Sequence, residues 1–201
     1  MKSIMFIAIS LLVLFVILQS FTAMSVNNTE NQPYTVVLKE KEFEVRFYPA
    51  TTIATINSSA KSYKELSGSG FRKLAGYIFG GNETDTKIAM TSPVHMDIND
   101  TMSSMSFIMP SKYNSDNLPK PNDPNVIIKK TEDEYVAAIN FGGYASEKDM
   151  KTYSTKLAEL LKEKGIATIG NYRYLGYNPP YQVVGRKNEI IVAVEWKSEK
   201  K

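Results

Sequence analysis

Two runs of strand-like and helix-like periodicity, separated by a loop that can be neither, constrain this chain more than any other feature. The divider is residues 111–125, where Pro119, Pro121 and Pro124 stand among asparagines and aspartates. Proline's fixed φ and missing N–H bar a regular helix or ladder there. Before it, Val36 and Leu38 share one parity, and Phe43, Val45 and Phe47 share another with Glu44 and Arg46 between them, which predicts half-buried strands. The β-branched run at 51–56 continues extended. Phe71, Leu74, Ala75 and Ile78 then fall at helical spacing, predicting a helix over 69–81 with Gly80 and Gly81 as its stop. Strands are expected over 87–98 and 103–109. Beyond the divider, strands are expected over 126–130 and 134–141. A helix then opens at Ser146 with Asp149 as a variant capping box, carries Met150, Tyr153, Leu157, Leu160 and Leu161 on one face, and ends at Gly165. Strands over 172–177 and 189–196 complete the set.

Each half thus reads strand, strand, helix, strand, strand. The expected fold is α+β: two pseudo-repeats forming a mainly antiparallel sheet, or one curled into a distorted barrel, flanked by two helices. A cleft at the pseudo-symmetric junction follows, a usual place for an apolar ligand.

Several chemistries are excluded at once. Cysteine is absent, which removes disulfides, thiolate metal sites and thiol nucleophiles, and one histidine cannot build a multi-histidine metal cluster. A net charge of +3 with acids and bases mixed offers no basic stripe for nucleic acid. No nucleophile-elbow motif accompanies His95, and the Asp133–Glu134 pair sits in a polar turn. The expectation is a binding protein and not an enzyme.

The N-terminus departs from globular pattern: after Lys2, residues 4–18 carry no charge, and 19–25 let a helix continue to about 20 residues, near the length that crosses a bilayer. We read 1–24 as a membrane anchor, with a cleaved signal segment as the alternative, 25–33 as a polar tether, 34–197 as the domain and 198–201 as a charged tail. Lys2 before the span, with no positive cluster after it, predicts a cytoplasmic N-terminus and a domain on the outer side. Signal cleavage would instead secrete the domain.

Five ordered motifs carry a family resemblance. They are Glu44-Val45-Arg46-Phe47-Tyr48, the helix and loop of residues 71–82, Lys87-Ile88-Ala89-Met90-Thr91-Ser92-Pro93-Val94, Phe107-Ile108-Met109-Pro110, and Asn178-Pro179-Pro180 followed by Arg186-Lys187-Asn188-Glu189. In this wording the chain resembles the SOUL family of haem-binding proteins. The resemblance implies an α+β domain like the gyrase-inhibitor-like ligand-binding domains and noncatalytic binding of haem or a related tetrapyrrole.

Candidate ligand contacts are the face of the first helix, Phe71, Leu74, Tyr77 and Ile78, with Arg72 and Lys73 beside it as partners for propionates, and Met90, Met96 and Tyr177 as further walls. The competing reading packs that face into the protein's own core and solvates the basic residues. The methionines are pocket or core walls and Tyr177 a stacking or turn-covering ring. His95 is a candidate ligand to haem iron, weighed against a locally hydrogen-bonded imidazole; by parity it sits with Asp97, opposite Met90, Val94, Met96 and Ile98. A general pocket for amphipathic molecules, or a protein-interaction module using the 111–125 loop, are the alternatives.

Overall fold

A computed structural model describes residues 2–27 and 29–197, and the tail read at 198–201 lies outside the described residues. In chain order the elements are α1 (Lys2–Asn27), β1 (Glu30–Asn31), β2 (Thr35–Lys39), β3 (Glu44–Tyr48), β4 (Thr52–Ser58), α2 (Tyr63–Ile78), β5 (Thr91–Ser92), β6 (Val94–Asp97), β7 (Ser103–Ile108), β8 (Ile127–Lys130), β9 (Glu134–Gly142), α3 (Glu147–Glu163), β10 (Thr168–Gly176) and β11 (Lys187–Val194). Nine strands form one open antiparallel sheet in the order β2-β3-β9-β11-β10-β6-β7-β4-β8. The alternative of a closed barrel is not realised.

The order exposes the duplication. β3-β4-α2-β6-β7 and β8-β9-α3-β10-β11 are the two halves, and each half's first strand pairs with the second strand of the other: β3 with β9, β8 with β4. The halves meet where β6 runs antiparallel to β10, His95 opposite Leu175 and Met96 opposite Tyr174. β2 is an addition at one edge.

Both helices cover the same face of the sheet. Val45, Ile56, Met105, Phe107, Ile139, Ile190 and Val192 point at them, and Leu66, Leu74, Leu157 and Leu161 point back to complete the main core. Phe141 stacks on Tyr153 of α3 with ring centroids 4.4 Å apart. α2 begins at Tyr63, earlier than its periodicity predicts. Ser62 caps it by accepting from Glu65 N, while the Ser-Gly-Ser-Gly stretch at 67–70 has low helix propensity and little pattern. Gly70 lets α2 approach the sheet closely: a Cβ there would stand 3.1 Å from Ile56 Cδ1, so that side chain would have to give by a few tenths of an ångström. The α3 capping box forms in full, Ser146 and Asp149 each bonding the other's backbone N–H.

Three expectations are corrected. The single strand over 87–98 is two short strands broken at Pro93, which has no N–H to donate. Arg46, placed by alternation on the polar side of its strand, is only 4% exposed, because that side packs a second, smaller core and pairs Arg46 with Glu189. Ahead of the first half's own two strands stand two more, β1 and β2, and β1 pairs in parallel with β5 outside the nine-stranded sheet.

α1 is 26 residues long by its backbone, and its side chains are described for Phe6, Ile7 and residues 9–19. Among the described residues no helix is long and apolar enough to cross a membrane. The single-pass arrangement therefore rests on the sequence.

Candidate functional site

The sheet face opposite the helices carries the unusual chemistry. Strand alternation puts Tyr48, Val136, Ala138, Leu175 and Ile191 on it as a small second core. Among them lie Arg46 of β3 and the fully buried Glu189 of β11, brought together through β9 between them. Arg46 Nη1 and Nη2 donate to Glu189 Oε2 and Oε1 at 2.8 and 3.0 Å, a bidentate pair. Tyr177 Oη donates to the same carboxylate at 2.6 Å, and Lys187 Nζ lies 3.1 Å from it. Arg46 Nε also donates to Glu44 at 3.0 Å. The Tyr34 ring lies 4.3 Å from the Arg46 guanidinium, and Lys187 Nζ lies 4.1 Å from the Tyr177 ring centroid.

These contacts decide the ionisation. Burial opposes charge on Glu189, but the hydrogen bonds and positive charge of Arg46, with Tyr177 and Lys187, outweigh it and hold the carboxyl below its ordinary value. Burial likewise opposes charge on Arg46, and Glu189 outweighs it, so the guanidinium is raised. Tyr177 is pushed far up, first by burial and then by the Glu189 charge. The cluster is thus a buried, hydrogen-bonded pairing of opposite charges.

Tyr34, Tyr177 and Lys187, which touch this cluster, also line a cleft of about 810 Å³. Its walls are Tyr34, Tyr177, Val184 and, from α1, Phe15 and Val16, with Lys187 at the rim. Gln32 belongs both to this cleft and to a neighbouring polar cavity of about 490 Å³ that holds His95, Arg173 and Glu134. His95 Nε2 is 2.8 Å from Gln32 Oε1; a carbonyl oxygen only accepts, so Nε2 carries the proton and Nδ1 the lone pair. Burial, reinforced by the Arg173 charge, pushes the His95 pKa down to about 3, so the imidazole is neutral near pH 7, the form able to bind a metal. Among the described residues no group of three or more His, Cys, Asp or Glu is placed to hold a metal ion. A third groove, about 400 Å³, runs between α2 and α3 past Tyr63, Met96, Met150 and Tyr172.

The residues singled out from sequence do not share one site. Leu74, Tyr77, Ile78 and Met96 are core residues on the helix side, and Tyr77 Oη donates to Pro119 O at 3.0 Å. Phe71 is 37% exposed and packs edge-on to Phe107, Arg72 and Lys73 are exposed on the outer side of α2, and Met90 is half-buried. His95 and Tyr177 lie on the opposite face, His95 as its parity predicts. Glu189, Arg46, Tyr34, Gln32 and Lys187 were missed as site residues. The available signal was a glutamate embedded in the apolar run of residues 189–194.

The model of the family described as "SOUL heme-binding protein" matches residues 29–193. The chain belongs to the SOUL haem-binding family. Among curated SOUL relatives, haem-binding protein 1 of Xenopus laevis is 32% identical over 155 residues, covering 74% of this chain and 81% of that protein. Haem-binding protein 2 of Homo sapiens is 29% identical, covering 74% and 76%. A hydrolase from Listeria innocua, 9% identical, superposes on the SOUL domain with a TM-score of 0.56 over 79% of this chain and 94% of that one. The C-terminal domain of EcmrR, 10% identical, does so at 0.54 over 82% and 99%. Both likenesses concern the fold alone: an α+β architecture built on an open antiparallel sheet.

Proposed function

We propose that this chain binds haem or a related tetrapyrrole, without chemically altering it, in the cleft on the open sheet face, and so buffers, carries or senses it. The observation that carries the reading is the lining of that cleft. A flat amphipathic ring needs apolar walls and a cation for its carboxylates, and Tyr34, Tyr177 and Val184 with Lys187 offer both in one cavity. The volume lies within the range of about 300–1,000 Å³ usual for small-molecule sites. Family membership and relatives named as haem-binding proteins support the same ligand. Bound haem would supply an iron with open axial positions. His95 stands in the adjoining cavity as a neutral imidazole whose Nε2–H is engaged by Gln32.

A second reading uses the outer edge of α2, where exposed Phe71 and Phe79 adjoin Arg72 and Lys73. Haemin titration of the full chain in detergent separates the two. A saturable Soret shift is expected, weakened at least tenfold by Tyr177→Ala with Lys187→Ala and unchanged by Phe71→Ala with Arg72→Ala. No saturable shift would sink haem binding, and the reverse pattern would move the site to α2. His95→Ala tests axial ligation through the position of the Soret band. Equal affinity for unrelated planar cations would favour a general amphipath binder.

The same proposal reads α1 as a membrane tether. Its described side chains from Phe6 to Leu18 are exposed and, Ser10 apart, apolar, and a helix of that kind suits lipid better than water. Membrane fractionation with alkaline extraction checks this: the full chain should stay with the pellet, and release into the supernatant would sink it.

A further inference from the structure

The loop that walls the cleft, residues 177–187, is built in an unusual way. Its polar groups turn inward and brace it. Arg186 Nη1 donates to Pro179 O and Gln182 O at 2.7 and 2.8 Å, Gln182 Nε2 donates to Val184 O at 3.0 Å, and Asn178 Oδ1 accepts from Lys187 N at 2.6 Å. The Arg186 guanidinium also lies over the Tyr144 ring at 4.3 Å. The effect is to hold three apolar side chains outward in fixed positions: Tyr181 is 65% exposed, Val183 48% and Val184 67%. Ordering a loop costs conformational entropy, and exposing its apolar side chains to water recovers none of it.

The patch is continuous with α1. Gln19 Nε2 donates to Tyr181 O at 3.3 Å and Gln19 Oε1 accepts from Val183 N at 2.9 Å, so the helix leaves the domain at this loop. Gln19 is also where the apolar run of α1 ends, so the loop's exposed side chains meet the helix at the end of its apolar stretch. Apolar tips beside an aromatic ring, continuous with an exposed apolar helix, are what a protein presents to a lipid interface.

We propose that the 177–187 loop is a membrane-docking element, its partner the surface of a phospholipid bilayer, which seats the domain so that the cleft opens at the lipid surface. This rests on the tether reading of α1. An amphipathic ring would then enter from the lipid phase past Phe15, Val16 and Val184, which are both cleft wall and membrane-side surface.

Because the chain has no cysteine, single-site labelling is clean. Leu12→Cys, Val184→Cys and Lys151→Cys, the last exposed on α3, are each nitroxide-labelled in the full chain. Each is reconstituted in phosphatidylcholine–phosphatidylglycerol vesicles, and collisions with oxygen and with a water-soluble nickel chelate are compared. On the vesicles Val184 should be oxygen-preferring, as Leu12 is, while Lys151 stays chelate-preferring. Oxygen preference at Leu12 with chelate preference at Val184 overturns the docking element and leaves the tether intact. Chelate preference at both overturns the tether as well. A parallel Tyr181→Cys label must follow Val184, and a label there that follows Lys151 instead also refutes the proposal.

Discussion

Removing Arg46 should strand a charge, and the pH dependence of the damage identifies which one. In Arg46→Met the two guanidinium bonds of 2.8 and 3.0 Å to Glu189 disappear, leaving a fully buried carboxylate with only Tyr177 and Lys187. Breaking one side of a buried bidentate pair costs about 3–5 kcal/mol, whereas replacing both partners by apolar side chains is often close to neutral. Urea unfolding at pH 7.5 should therefore show Arg46→Met losing about 3–5 kcal/mol and the double variant Arg46→Met, Glu189→Leu recovering most of it. Glu189 is held below its ordinary pKa in the native protein, so its contribution is present at neutral pH and lost as pH falls through the folded value. In Arg46→Met burial dominates and the folded pKa rises above that of the unfolded chain, so the deficit relative to wild type should shrink between pH 7.5 and 5. A single-variant loss under about 1 kcal/mol, a double variant as poor as the sum of its singles, or a deficit that widens on acidification would each refute the stranded-charge argument.

His95 supplies a separate acid sensitivity. Its folded pKa of about 3 lies below the usual 6.5, so the unfolded chain binds the extra proton, and stability should fall by a few kcal/mol as pH drops from 6.5 towards 3. His95→Gln should flatten that slope in thermal melts taken across the range. Gly81→Ala should destabilise by about 1–3 kcal/mol or more, since its Cβ would stand 2.6 Å from Gly76 O, a backbone atom with no rotamer to yield; an unchanged melting temperature would contradict it.

Local pattern was legible wherever one residue type decides one local outcome. Ser146 and Asp149 announced the start of α3 and Gly165 its end, and the parity that set His95 against Met96 survived the break at Pro93 because Val94 to Asp97 alternate within β6 of the nine-stranded sheet. What alternation cannot say is whether its polar side faces water. Arg46 and Glu189 are 143 positions apart, and their pairing depends on β9 passing between their strands. For Leu74, Tyr77 and Ile78 the stripe left both a core and a ligand-facing reading open, because a stripe looks the same whether a sheet or a ligand covers it, and the structure places them in the core. The cleft was missed for the complementary reason: its walls come from β1 to β2, β10 to β11 and α1, segments with no shared motif.

The exchange of first strands between the halves has a consequence for how the chain can be divided. Neither half contains a complete sheet: cut within the 111–125 loop, the N-terminal piece would keep β2 and β3 with no β9 to receive them, and the C-terminal piece would keep β8 with no β4. Such pieces are expected to be aggregation-prone apart and to complement one another when mixed, with a single cooperative melt appearing only in the mixture. The duplication thus describes two mutually templating fragments, not two stacked modules, and tolerance to circular permutation at that loop should exceed tolerance to truncation on either side of it.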